Sequence, residues 1–412
     1  MSEDFKPETR KRFVVGVIVK HLCFFTLIVG IISLLMLLLN IVNNGFGFVL
    51  ASYEISPREL IGNDRKLDEV PHLELEGLLK NNLSPGMLRK LEADKPLGRR
   101  SREDLTALLI EYVCKEGIHE SWNLWDSLFK QQEIREFHET RYPDSELYFR
   151  SWISMKFLTS KQSSIPEKSG IRTAILGSLW MVLITMIIAF PLGIATALYL
   201  EEYAPRNILT KVIQVNIYNL AGIPSIIYGL FGLTIFVRFL EPVTSGVLFG
   251  VQGGATANGR TILAAGLTMA LLILPIIIIN AQESIRAVSP SLRFSSYGLG
   301  ATKWQTIRHH VLPGSMDRIL TGAILAVSRA LGETAPLVVI GASTFITVDP
   351  ASLFSKFTAL PIQIYQWTAR PQASFKHVAA AAIIVLVVLL IGLNGFAIIL
   401  RNHLSAKRSH QS

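Results

Sequence analysis

Apolar residues in this chain gather into six long runs, separated by polar stretches of very unequal length. The runs are roughly Val14–Val42, Thr173–Leu200, Val212–Val237, Ile262–Ala281, Ile319–Ser343 and Val378–Leu400. At about 1.5 Å per helical residue, each is long enough to cross about 30 Å of hydrocarbon. Pro224, Pro275 and Pro336 fall inside the third, fourth and fifth runs and predict kinks. Membrane helices tolerate such kinks where neighbouring helices re-satisfy the backbone. Between the fourth and fifth runs lies a polar loop, Glu283 to Pro313, that carries two helix starts in series. Ser289-Pro290 reads as an N-cap followed by proline at the first helical position. Gly300 sits where a short helix should end in the left-handed conformation. Thr302 through Gln305 is a capping box, and the helix it opens is expected to run to Pro313. Trp304, Ile307 and Val311 share one face of that helix. An apolar face at a membrane edge calls for a partner.

Half of the 412 residues are hydrophobic and only 17% are charged, which places the chain in the membrane class. Lys and Arg cluster at three places: Lys6, Arg10, Lys11 and Arg12; Arg286, Arg293, Lys303, Arg308 and Arg318; and Arg401, Lys407 and Arg408. With an even number of spans all three fall on one side, which the positive-inside rule makes cytoplasmic, together with both termini. The net charge of +9 is thus mainly a topology signal, and no basic-aromatic patch points to nucleic acid. The first apolar run is longer than the about 7–15 residues of a signal-peptide core, so it reads as an uncleaved anchor. Cys23 and Cys114 make no disulfide framework, and the histidines, His309-His310 included, lack metal-ligand spacing.

Residues 51–150 interrupt the membrane pattern with a charged insertion, expected on the outer face. Ser101 to Asp104 followed by Leu105, Leu108, Leu109, Tyr112 and Val113 reads as a capped amphipathic helix. A second helical pattern near Trp122–Phe137 places Trp125, Leu128 and Phe129 on one face. Pro57, Pro71, Pro85 and Pro96 cut the rest into short pieces, and strand alternation is weak. The expectation is a small, mainly helical domain, either a spacer or a docking or regulatory module. The chain is thereby divided into 1–50, 51–150 and 151–412.

From about Trp152 onward the sequence resembles the A-type inner-membrane permease subunit of phosphate-specific ABC importers. Five blocks in order carry the resemblance: GIRTAILGSLWMVLITMIIAFPLGIATALYL from Gly170, NLAGIPSIIYGLFGLTIF from Asn219, GLGATKWQTIRHHVLP from Gly298, SRALGETAP from Ser328, and LPIQIYQWTARP from Leu360. The resemblance implies an all-α membrane protein with six transmembrane helices, and loop 283–318 as the coupling loop that docks on an ATPase. The generic coupling motif has Glu-Ala-Ala where this chain has Phe294, Ser295 and Ser296, whereas Gly300, Leu312 and Pro313 fit. ATPase coupling is therefore assigned to Phe294, Gly300, Trp304, Ile307, Val311 and Pro313. The insertion is a departure from the family, and nothing about it carries over.

The chain has no G-x-x-x-x-G-K-[ST] phosphate loop, so ATP and Mg would be used by a partner ATPase, with no cofactor or metal in this chain and no covalent chemistry. Implied partners are a C-type permease subunit, two ATP-binding subunits, an extracytoplasmic phosphate-binding protein and membrane lipid, in a bacterial inner membrane. Arg329 and Glu333 lie within the fifth run at i,i+4 spacing. An arginine at the centre of a membrane helix costs roughly 2.5–3.5 kcal/mol on insertion scales, which invites either a structural ion pair or a substrate contact. A guanidinium donates in a planar fork suited to an oxyanion, and a nearby carboxylate would keep the site from holding its cargo too tightly. Ser225 and Tyr228, beside Gly222 and Pro224, are further candidates for the path, although close helix packing explains the glycine equally well. Arg238 and Glu241 read as interfacial residues. Segment Leu360–Pro371 is either a carrier contact or an interfacial anchor through Tyr365 and Trp367. The rival functions are a permease for another oxyanion and a membrane-tethered phosphate sensor.

Overall fold

A computed structural model of the chain describes residues 9–409 except 54, 56–59, 62–69, 95, 115, 144, 251–257, 343, 344 and 347. Lys6, Pro57 and Ser343 lie outside the described residues, as do the side chains of Arg10, Lys11, Arg12, Lys407 and Arg408. The chain divides into two units, Met1–Trp152 and Ile153–Ser412.

The first unit opens with helix α1 (Thr9–Gly45), which is apolar on every side and exposed along its length. Such a helix suits lipid or a partner helix rather than water. It passes directly into strand β1 (Phe46–Tyr53), the centre of an antiparallel three-stranded sheet in the order β2-β1-β3. The edges are β2 (Glu116–Ser121) and β3 (Glu146–Ser151). The sheet was not expected from the sequence, although the unit is mainly helical. Its edges are only six residues long, and β1, beyond the Asn43-Asn44-Gly45 break, is apolar without alternation. Among the described residues the unit also holds helices α2 (His72–Asn82), α3 (Pro85–Asp94), α4 (Arg102–Leu109) and the broken pair α5 (Leu124–Phe129) and α6 (Gln131–Arg141). Helix α4 starts where the sequence places it, with the Ser101 hydroxyl accepting from the Asp104 amide at 3.1 Å. Leu75, Leu79, Leu97, Leu105, Leu109 and Val113 form its core.

The second unit holds the remaining membrane helices: α7 (Arg172–Tyr203), the pair α8 (Ile208–Ala221) and α9 (Ser225–Phe239), α10 (Ile262–Arg286), α12 (Lys303–Gly332) and α15 (Ser374–Ser409). Between them come α11 (Pro290–Gly298), α13 (Ala335–Ile340) and α14 (Leu360–Thr368). With α1, five helices among the described residues are long and apolar enough to cross a membrane, or six when the α8–α9 pair counts as one span. Helices α7, α10 and α12 pack around Met181, Ile184, Met269, Ile273, Ala326 and Ala330.

Three membrane segments depart from the simple reading. Pro224 does not kink one long helix; α8 and α9 meet at 104° across it. The fifth run is not one helix to residue 343, because α12 stops at Gly332 and α13 begins at Ala335. Pro313 does not end a helix, because α12 runs through it from Lys303. A π-helical turn at Ile307–Val311 comes just before the proline. The wider turn makes room for the ring and for the missing N–H donor.

Candidate functional site

Two places in the second unit carry the candidate residues. The first is the polar loop between α10 and α12. Its local structure is what its caps dictate. The Ser289 hydroxyl accepts from the Ser291 amide at the start of α11. Gly300 adopts φ +83°, which a side chain would resist, and Ala301 donates back to the Ser296 carbonyl at 3.1 Å. The Thr302/Gln305 capping box is complete in both directions. Ser296, where the generic motif has alanine, is buried and hydrogen-bonds the Thr306 hydroxyl at 2.9 Å, tying α11 to α12.

The loop is clamped to the end of α7. Arg286 pairs with Glu201 at 2.6 Å and Arg293 with Glu202 at 3.0 Å. Arg293 also donates to the Ile285 and Val288 carbonyls at the end of α10, capping that helix. The Lys303 ammonium lies 5.0 Å from the centre of the Tyr203 ring. These arginines, taken from the sequence as topology signals, are also structural braces.

The clamp decides which apolar residues face outward. Ile307 and Val311 are fully buried, and Val311 packs with Ile285, Val288 and Ile319. They hold the loop together and offer no outward face, which corrects their assignment to docking. Pro313 likewise lies within the continuous helix. The outward apolar surface is made by Phe294 (73% exposed), Leu299 (90%) and Trp304 (54%). Leu299 was missed because it lies between two helices and matches neither period. Its signal is its place between Gly298 and Gly300, a leucine fixed in a turn.

The second place is where two helix breaks meet. Gly229 on α9 lies so close to α13 that a Cβ there would come within 2.7 Å of the Pro336 Cα. Close packing at this glycine brings the α8–α9 break toward the α12–α13 break. Across the first break, the Tyr228 hydroxyl donates to the Leu220 carbonyl at 2.6 Å and is buried. Tyr228 is therefore a brace of the bend. Ser225, at the start of α9, is half-buried. At the second break Arg329 is in the last turn of α12 and Glu333 is the residue that ends it, with an extended backbone. They pair at 3.2 Å from Nε to Oε1, with Arg329 the more exposed partner. The i,i+4 spacing thus survives although Glu333 has left the helix. Arg238 and Glu241 are exposed at the far end of α9.

On α14, Tyr365 is exposed but Trp367 is fully buried, with its ring 6.1 Å from that of Phe157. Trp367 is core, and an interfacial anchoring role for it is excluded. Nearby, Asp349 accepts from both Arg172 and Thr173, pinning the loop before α14 to the start of α7. Among the described residues no group of three or more His, Cys, Asp or Glu could hold a metal ion.

The chain is similar to curated permeases. It is 31% identical over 243 residues to "Probable ABC transporter permease protein YqgI" of Bacillus subtilis, a match covering 56% of this chain and 76% of that protein. It is 34% identical over 233 residues to "Phosphate transport system permease protein PstA 1" of Mycobacterium tuberculosis, covering 56% and 70%. It is 36% identical over 234 residues to "Phosphate transport system permease protein PstC" of Mesorhizobium japonicum, covering 53% and 70%. The model of one family, "Binding-protein-dependent transport system inner membrane component", matches residues 189–410, which hold the polar loop before α12 and both helix breaks. The chain belongs to that family of ABC importer permeases.

Proposed function

We propose that this chain is one permease half of an ATP-driven importer of inorganic phosphate. The observation that carries the reading is the Arg329–Glu333 pair, held at 3.2 Å where α12 breaks in an otherwise apolar span. Broken membrane helices recur at transporter substrate sites, where they free polar groups at mid-membrane depth. A guanidinium offers phosphate a planar set of donors, and Glu333 competes for the same donors. Phosphate passing Arg329 displaces the carboxylate, and the carboxylate returns as phosphate leaves. That exchange keeps binding weak enough for release. The phosphate-system relatives support the choice of cargo.

In this reading the face of Phe294, Leu299 and Trp304 docks on an ATP-binding subunit that uses ATP and Mg. Two such subunits, a second permease of the C type and an extracytoplasmic phosphate-binding protein complete the importer. The coupling loop and both termini are then cytoplasmic, in a bacterial inner membrane. Phosphate uptake in cells whose only A-type permease is this chain or its Arg329→Ala form tests the path. Uptake by the parent and its loss in the variant, at equal membrane abundance and with the complex assembled, is the expected result. Equal uptake by both reduces Arg329 to a structural residue, and inhibition by excess sulfate or molybdate would move the cargo to another oxyanion.

A further inference from the structure

The insertion carries an apolar face that its own core does not use. Helix α5 turns Ser127 inward, where its hydroxyl accepts from the Phe48 amide at 2.7 Å and donates to the Asn123 carbonyl at 2.7 Å. The opposite face presents Trp125 (49% exposed), Leu128 (63%) and Phe129 (76%), at i, i+3 and i+4. The Trp125 and Phe129 rings stack with centres 5.6 Å apart, so the face is a formed surface. Its position is fixed by α1. The Asn43 side-chain oxygen accepts from the Trp125 amide at 2.7 Å, one residue beyond the exposed Val42. The surface thus continues the apolar flank of the membrane helix around its outer end. Lys130, next in sequence, is exposed and braced by Asp126 at 3.2 Å.

We infer that Trp125, Leu128 and Phe129 insert into the headgroup layer of the bilayer and set the depth of α1. The apolar helix Phe13–Gly45 has 33 residues, about 50 Å at about 1.5 Å each, against a hydrocarbon core of about 30 Å. Lys20 marks one end of its uncharged stretch, about 33 Å before Val42, and a rigidly attached interfacial anchor at the other end fixes the depth from both sides. Tryptophan and phenylalanine beside leucine suit the boundary between headgroups and acyl chains, and a flanking lysine reaches the phosphates.

The test places nitroxide labels on the full chain in phosphatidylcholine–phosphatidylglycerol nanodiscs. Leu128→Cys and Phe129→Cys are made with Cys23→Ala, and Leu35→Cys gives the lipid-facing reference. Collision with oxygen and with a water-soluble nickel chelate should place both labels about 5–10 Å below the phosphate plane. Free access of the nickel chelate makes the face a solvated one and overturns the inference. Protection from both collision partners makes it a protein contact and overturns it equally. A readout without added cysteines guards against misfolded variants. Brominated lipid should quench the parent chain's tryptophan emission more than that of Trp125→Phe, and equal quenching refutes insertion.

Discussion

Leu299 and Ile307 stand eight positions apart in one loop, and the structure assigns them opposite consequences. Leu299 is 90% exposed in this chain, so a partner seated on it would remove nearly the whole side chain from water. Full burial of a leucine is worth roughly 1.5–3 kcal/mol. Leu299→Ala should therefore weaken binding of the ATP-binding subunit about tenfold to a hundredfold, since about 1.4 kcal/mol is a factor of ten. It should leave the folding of the permease unchanged. Ile307 is fully buried, and its truncation to alanine removes core contacts and leaves a void. That costs about 2–5 kcal/mol of stability before any partner is present. The assay pairs an affinity measurement between the solubilised permease and the ATP-binding subunit with thermal unfolding of the permease alone. Leu299→Ala should lose affinity at constant unfolding midpoint, and Ile307→Ala should lose the midpoint first. If Leu299→Ala binds within about twofold of the parent, less than about 0.5 kcal/mol, the outward face is a solvated turn and the docking argument fails.

Other consequences follow from single contacts. Tyr228→Phe removes the hydroxyl that bonds the Leu220 carbonyl, so it should cost about 0.5–1.5 kcal/mol of stability while uptake persists; lost uptake at an unchanged midpoint would make the hydroxyl a substrate contact. Burial pushes the Asp349 carboxyl up, but hydrogen bonds from Arg172 and Thr173 outweigh it and hold the group below its usual 3.8. Its stabilising contribution is therefore present at neutral pH and is lost as pH falls through the depressed value, so Asp349→Asn should lower the unfolding midpoint at pH 7 and narrow the gap to the parent in acid. Burial, reinforced by the Glu146 charge, pushes the Cys114 thiol up to about 11. With Cys23→Ala, it should resist maleimide at pH 8 until the insertion unfolds, and fast labelling of Cys114 in the folded chain would contradict its placement in the core.

What the sequence disclosed here depended on range. Signals that act within four or five residues were readable: the Ser289-Pro290 start, the left-handed Gly300 and the Thr302/Gln305 box all stand as written in the chain. Signals that need a distant partner were not. β1 pairs with residues about sixty to one hundred positions later, so nothing in Phe46–Tyr53 alone separates a strand from a further apolar helical turn. Periodicity grouped Ile307 and Val311 with Trp304, but it cannot say which residues of a face meet their own fold and which are left exposed. That choice is made by Glu201 and Glu202, about one hundred residues earlier, which draw the loop inward through Arg286 and Arg293. The break at Glu333 was hidden because Ala335–Ile340 is as apolar as the helix before it. Its marks are Gly332, the charge pair and Pro336, and the proline reads as a kink within one helix.

The two candidate places are joined by one element. Helix α12 carries Trp304 in its first turn and Arg329 in its last, about 38 Å apart along one continuous helix. A helix of this kind resists stretching, so a push at one end arrives at the other as translation or rotation. Its irregular turn, Ile307–Val311 with Pro313 behind it, lies near the loop, and the half that carries Arg329 packs firmly against α10. Beyond Arg329 the chain turns out of the helix only after Glu333, whose amide still closes the last turn on the Arg329 carbonyl at 3.1 Å. Both charges therefore stand at the very end of α12, and the 3.2 Å pair sits at the junction where the chain departs for α13. A movement of α12 started at the loop would reach the pair at that junction, where the Glu333 backbone has already left the helical conformation.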